Sequence, residues 1–176
     1  MNVGRILVIV FLAAVAPALS SVPVLALSAV VIPAAVQELA GEHPAEYYKR
    51  AAELFKDGKK EDAVFVFYLG QLRFRTHLLA KRHLDPTGDP AIFASLSEVV
   101  GRPINQYAFG DMPALARTVD AVLAYDEANP DKFTSPAEFA GVHTSVRDGL
   151  SSMKAKMLAE ADPIRAQRLK NGLENR

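Results

Sequence analysis

The sequence predicts an all-α protein in which about five antiparallel helices pack around one buried central helix, after an apolar N-terminal segment. Apolar residues recur at three- and four-residue spacing along most of the chain, as they do on one face of a helix. Residues 61–82 continue this pattern with no proline and a single glycine, so we expect them to form the central helix. The composition of residues 64–68 also suits a strand, but no segment alternates apolar and polar residues.

The first 36 residues are expected to be a signal peptide or a membrane anchor. Arg5 precedes a run from Ile6 to Gln37 without a charged residue, which is typical of a secretory signal peptide. Small residues that suit cleavage end at Ala18, Ala26 and Ala29. An uncleaved anchor is the alternative, because the run exceeds the roughly 20 residues that cross a bilayer, although its prolines disfavour one straight helix. Both interpretations place the rest of the chain outside the cytoplasm, either periplasmic or secreted, or anchored to the membrane.

The helical domain is expected to occupy residues 38–160, with a polar tail at residues 161–176. Pro44 suits the first turn of the opening helix, where its missing N–H is not needed. Gly58 is expected to end that helix and to turn the chain towards the central helix. The tail is mostly polar and is expected to be a frayed helix or disordered.

Three more helices are predicted after the central one. Asp89 is followed by proline and opens a short helix, as an N-cap before a proline in the first turn does. Residues 101–110 lack helical periodicity and are interpreted as an ordered loop between two glycines. Asp111 is expected to cap the next helix, and Ser135 is expected to cap the last long one.

The first two helices resemble a hairpin of the tetratricopeptide-repeat family. Seven residues match the family's alternation of small and large side chains: Tyr47, Ala51, Leu54, Gly58, Ala63, Phe67 and Gly70. The resemblance implies that two closely packed helices bind another protein. Arg50 and Arg75 depart from the family pattern, and no second copy follows at the period of about 34 residues. An ordinary helical hairpin is the alternative.

Composition excludes several classes of function. The 20 basic and 20 acidic residues balance, so the chain lacks the positive charge that nucleic-acid binding requires. The absence of cysteine excludes disulfides, thiolate metal sites and a cysteine nucleophile. No glycine-rich phosphate loop and no nucleophile motif in a plausible context occurs. We therefore expect no catalytic residue and no cofactor.

The four histidines do not show the spacing of metal ligands. His77 and His83 are six residues apart and point in different directions on a helix. His43 and His143 stand alone in the sequence, the latter beside an apolar stripe. The sequence therefore predicts packing or surface histidines and no metal site.

Six residues are candidates for contact with a partner protein. Tyr48, Arg73 and Arg75 are expected to line a groove with an apolar base, the two arginines coming from a basic run in the central helix. Asn105, Tyr107 and Asp111 are polar groups in and beside the expected loop, where binding residues are common. As alternatives, the charges of the basic run are simply solvated, and the apolar residues of the loop fill space in the core.

The sequence favours an exported, non-catalytic module that binds another protein, such as an inhibitor or assembly factor. A membrane-anchored structural or assembly factor is one alternative, with membrane contact through the N-terminal segment. The other is an enzyme with an unfamiliar site at Asn105, Tyr107, Asp111 and His143, which requires these side chains to meet in one pocket.

Overall fold

The computed structural model describes residues 30–176, and these residues form helices and connecting turns without a β-strand. The predicted all-α class is confirmed. The expected cleavage positions at Ala18, Ala26 and Ala29 lie outside the described residues. Over residues 30–176, no helix combines the length and apolar character that crossing a bilayer requires.

The elements follow one another with short connections. They are α1 (Ala35–Glu38), α2 (Pro44–Lys56), α3 (Lys60–Ala80), α4 (Asp89–Leu96), a π-helical turn (Ser97–Gly101), α5 (Arg102–Ala108), α6 (Met112–Ala128), α7 (Pro136–Ala159) and α8 (Ala161–Lys170).

Helix α3 is the most deeply buried element of the described chain. Its apolar residues surround the helix on all sides, and Ala63 to Gly70 form an unbroken buried run. A helix that is apolar all round is stable only where other elements cover every face. Here α2, α5, α6 and α7 all pack against it.

Helices α2 and α3 form a tight hairpin. Gly58 adopts a left-handed backbone conformation (φ 79°) in the turn, which glycine allows without steric cost. Further along, Gly70 faces Tyr47, and a Cβ at Gly70 would lie less than 3.0 Å from the Cβ of Tyr47. The absence of a side chain at Gly70 therefore sets how closely the two helices approach.

Residues 102–108 are helical, whereas the sequence predicts a loop for residues 101–110. Pro103 lies in the first turn of α5, where it is compatible with a helix. Gly101 belongs to the π-helical turn and lies against the ring of Phe67. A Cβ at this position would lie only 2.9 Å from Cζ of Phe67, so a side chain would not fit without a shift of the ring. The glycine is thus required for close packing and does not end the helix.

The polar tail is also ordered, in contrast to the frayed or disordered segment expected for residues 161–176. Buried Arg168 of α8 donates to the carbonyl of Glu174 and to Oδ1 of Asn175, which lie in the segment after the helix. The backbone N–H of Arg176 donates to the carbonyl of Gly110 (2.6 Å). Hydrogen bonds within the tail, and one to Gly110 far away in the sequence, thus hold a segment that has little apolar character.

Candidate functional site

An open groove of about 550 Å³ lies between α3, α4 and α7. Most of its lining is apolar, and the apolar residues are Leu72, Leu78, Leu79, Phe93, Val146, Leu150 and Met153. Gln71, Ser145 and Gly149 complete the lining together with one charged residue, Arg75. The groove is thus an apolar concave surface with a single cation.

The groove exists because α4 and α7 do not close over this part of α3. Helix α4 contains no fully buried residue, and Ile92 is exposed although α4 is strongly apolar. On α7, the predicted apolar stripe is only partly covered, since Val146 and Met157 are buried while Leu150 and Met153 are half-buried. Apolar side chains that are not fully buried in the core therefore line the groove.

Arg75 lies at the groove with its side chain exposed. Its guanidinium carbon is 5.5 Å from the ring centroid of Phe93, within the range of a cation–π contact. Its hydrogen-bonding groups remain available to solvent, so they can bind a carboxylate of a ligand in the groove.

Tyr48 and Arg73, which the sequence predicts at the same groove, are buried in the core. The ring of Tyr48 packs against Phe67, Phe74 and Phe93 at centroid distances between 5.2 and 6.4 Å. Burial raises the pKa of Tyr48 to about 12, although Ser97 and Arg75 act to lower it. Neither Tyr48 nor Arg73 lines the groove. Arg73 is two residues from Arg75, and residues two apart on a helix point to different sides.

The guanidinium of Arg73 joins three parts of the fold. It donates to Oδ1 of Asp126 on α6 (3.2 Å), to the hydroxyl of Tyr47 on α2 (2.5 Å) and to the carbonyl of Asn129 after α6 (2.8 Å). Both Arg73 and Asp126 are 4% exposed. Burial raises the pKa of the Asp126 carboxyl, and the guanidinium groups of Arg73 and Arg147 oppose that rise. Arg73 is therefore a structural residue.

The candidates from the expected loop have separate partners. Asn105 accepts a hydrogen bond from the hydroxyl of Tyr68 (2.9 Å), and Tyr107 donates to Glu61 (2.5 Å). Asp111 caps α6 by accepting from the N–H of Ala114 (2.9 Å), as the sequence predicts.

His143 is buried and its Nε2 contacts the carbonyl of Thr134 at 2.8 Å. Asn105, Tyr107, Asp111 and His143 therefore satisfy four different local contacts. None of them lines the groove or either of two shallower depressions in the described chain. The geometry gives no support to an enzyme site at these four residues.

The structure brings together three residues that sequence reasoning did not combine. Nε2 of His77 lies 2.8 Å from Oδ2 of Asp89, and Nε2 of His43 lies 3.3 Å from Oδ1 of the same carboxylate. His77 is buried, whereas His43 and Asp89 are half-buried. Although burial acts to raise the pKa of Asp89, hydrogen bonds from His77 and His43 hold that pKa below its ordinary value.

Local signals for this cluster were present in the sequence. His43 and Asp89 each precede a proline at a helix start, and His77 lies in the last turn of α3. Of the three residues, only Asp89 was expected at a helix start, as the cap of the short helix. Which ends meet depends on tertiary packing, since the three residues are 12 to 46 positions apart.

Comparison with known proteins identifies no relative. No protein-family model, curated protein or solved structure matches the chain. The function must therefore be inferred from the groove and its chemistry.

Proposed function

We propose that this chain is an exported, non-catalytic interaction module that binds an apolar helical segment of another protein in the groove between α3, α4 and α7. The open apolar surface with Arg75 at its edge is the observation that carries the proposal. A partner that contributes an amphipathic helix fits this chemistry, because such helices place apolar anchors in grooves and polar groups outside.

The size of the groove favours a short segment as the ligand. A volume of about 550 Å³ lies within the range that holds a drug-sized molecule or a few large side chains. Two or three apolar anchors at positions i, i+3 or i+4 and i+7 of a helix fill such a space. Arg75 then favours segments that carry a glutamate or aspartate beside the anchors.

Helix α3, which forms one wall of the groove, packs closely against α2 in the hairpin, and this packing supports the proposal. Ala51, Ala63 and Phe67 are fully buried in the hairpin, and Gly70 allows close contact. We propose that this hairpin is related to the tetratricopeptide-repeat type, whose close helix packing presents surfaces for partner segments.

The proposal predicts the type of peptide that the protein selects from a displayed library of helical peptides. We expect selected peptides to share an apolar i, i+3 or i+4, i+7 pattern and an acidic residue. Arg75→Glu should weaken their binding about tenfold, equal to about 1.4 kcal/mol. Replacing the peptide's acidic residue with lysine should restore binding to the variant. Fluorescence anisotropy with a labelled peptide measures each affinity.

Two further variants control this experiment. Lys156→Glu makes the same charge change at an exposed position of α7 outside the groove, and it should leave affinity unchanged. Gly149→Leu adds a side chain to the groove lining at an exposed position where a Cβ meets no atom within 4 Å. Selected peptides should not bind Gly149→Leu. Equal affinity for Gly149→Leu and the native protein would rule out the groove as the binding site.

The export part of the proposal predicts the mass of the mature protein. We expect the chain recovered outside the cytoplasm to lack its first 18, 26 or 29 residues, according to the small-residue positions that suit cleavage. Intact-mass spectrometry after cell fractionation measures this. A full-length chain in the membrane fraction would favour an anchored assembly factor, and a full-length chain in the cytosol would contradict export.

A further inference from the structure

We infer that His43, His77 and Asp89 bind a divalent transition-metal ion, with Zn²⁺ as the best match. One potential ligand atom from each residue lies within 4.8 Å of the other two. The three residues come from three elements, namely the start of α2, the end of α3 and the start of α4. Binding of a metal ion would therefore join three helices that are separate in sequence.

The distances are close to those of a bound ion. Two ligands of a tetrahedral zinc ion, with bonds of about 2.0–2.1 Å, lie about 3.4 Å apart. The distance of 3.3 Å between His43 Nε2 and Asp89 Oδ1 matches this spacing, and the 2.8 Å between His77 Nε2 and Asp89 Oδ2 is slightly shorter. Coordination of one ion by both imidazoles and an oxygen of Asp89 would replace these two hydrogen bonds.

The set of ligand atoms selects the class of metal. Two imidazoles and one carboxylate suit Zn²⁺ and related first-row transition ions, whereas Mg²⁺ and Ca²⁺ prefer oxygen ligands only. Three protein ligands leave a further coordination position for water or for a carboxylate of a partner. Because His43 and Asp89 are partly exposed, the ion can enter from solvent, and water or a partner carboxylate can reach the further coordination position.

Aromatic rings hold the two histidines in place. The ring of Phe133 lies 5.0 Å from the centroids of both His43 and His77, and the ring of Phe74 lies 5.4 Å from that of His43. These edge contacts limit rotation of the imidazoles. The rings cover one side of the cluster, while His43 and Asp89 remain partly exposed to solvent on the other.

The hydrogen bond at the start of α2 has a specific consequence for metal binding. Nδ1 of His43 accepts from the N–H of Ala45 (3.1 Å), which places the proton of the neutral ring on Nε2. Coordination through Nε2 requires that this proton moves to Nδ1, so the hydrogen bond from Ala45 is lost. Metal binding should therefore change the environment of the Ala45 amide.

Titration of the metal-free full-length protein with Zn²⁺ alone tests the inference. We expect one equivalent to bind, as measured by competition with a chromophoric chelator, and Co²⁺ to give the visible absorption of a four- or five-coordinate site. His77→Gln and Asp89→Asn should each weaken Zn²⁺ binding at least about 100-fold, because each removes one of three ligands. His43→Asn should do the same while keeping a residue that can cap α2.

His83→Gln is the matched control. His83 is an exposed histidine near the end of α3 and outside the cluster, so its replacement should leave Zn²⁺ affinity unchanged. The helix content of every variant, measured by circular dichroism, distinguishes loss of a ligand from loss of the fold. Equal affinity in the native protein and the Asp89→Asn variant would overturn the inference, as would an equal loss in His83→Gln.

A second readout separates coordination by these residues from binding elsewhere. In NMR spectra, Zn²⁺ should shift the Ala45 amide resonance and speed its hydrogen exchange, because that amide loses its acceptor. An unchanged Ala45 resonance at saturating Zn²⁺ would show that His43 is not a ligand through Nε2. The experiment does not involve the groove, so its outcome is independent of the proposed partner binding.

Discussion

Replacing Arg73 with methionine is expected to lower the free energy of unfolding by about 3–5 kcal/mol. The substitution leaves the buried carboxylate of Asp126 without its closest cation, and it removes donors from the hydroxyl of Tyr47 and the carbonyl of Asn129. Arg147 compensates only in part, because its nitrogen lies 3.9 Å from Asp126. Urea denaturation followed by circular dichroism measures the change.

Two controls show whether the effect comes from the unpaired carboxylate. Arg75→Met removes an exposed arginine two residues away and should change stability by less than about 0.5 kcal/mol. Adding Asp126→Leu to Arg73→Met should recover at least about 2 kcal/mol, because the orphaned charge disappears. If the double variant is no more stable than Arg73→Met alone, desolvation of Asp126 is not the cause.

The cost of Arg73→Met should also depend on pH. Burial raises the pKa of Asp126 in the folded state, and loss of the Arg73 charge removes an effect that lowers it. The folded variant then binds a proton more readily than the unfolded chain does. Stability therefore falls as pH rises through the folded pKa, and the difference between variant and native protein should shrink as the pH is lowered.

Replacing Gly70 with alanine is expected to destabilise the protein by about 3 kcal/mol, although alanine is the better helix former. The new methyl group would lie less than 3.0 Å from the Cβ of Tyr47, an atom close to the α2 backbone. Because Tyr47 is fully buried and its hydroxyl donates to the carbonyl of Leu39 (2.7 Å), it has little room to move. The two helices must therefore separate.

Gly141→Ala provides the matched control for this substitution. Gly141 also lies within a helix, but a Cβ there meets no atom within 4 Å. Alanine should thus stabilise the protein by about 0.5–1 kcal/mol at position 141 through its higher helix propensity. Thermal denaturation of both variants measures the contrast. A loss below about 1 kcal/mol for Gly70→Ala would show that the hairpin adjusts and that its close approach is not set by Gly70.

The sequence by itself determined the helical class and most helix starts. Its signals are local, since the period of apolar residues and the caps at Asp111 and Ser135 depend on neighbours within one or two turns. The long helix expected over residues 61–82 is observed as Lys60–Ala80 for the same reason. Gly58 was identified as a turn residue because a positive φ is a local requirement.

Tertiary structure alone decided which of the polar residues are exposed and which meet. Arg73 and Arg75 were both expected at the groove, yet Arg73 is buried against Asp126 and only Arg75 faces the groove. A glycine such as Gly101 often ends a helix, but here the helical segment continues through it. The glycine is needed because its backbone lies against the ring of Phe67. The cluster of His43, His77 and Asp89 likewise depends on which helix ends pack together. Such contacts join residues far apart in the chain, so local patterns do not show which of these residues meet.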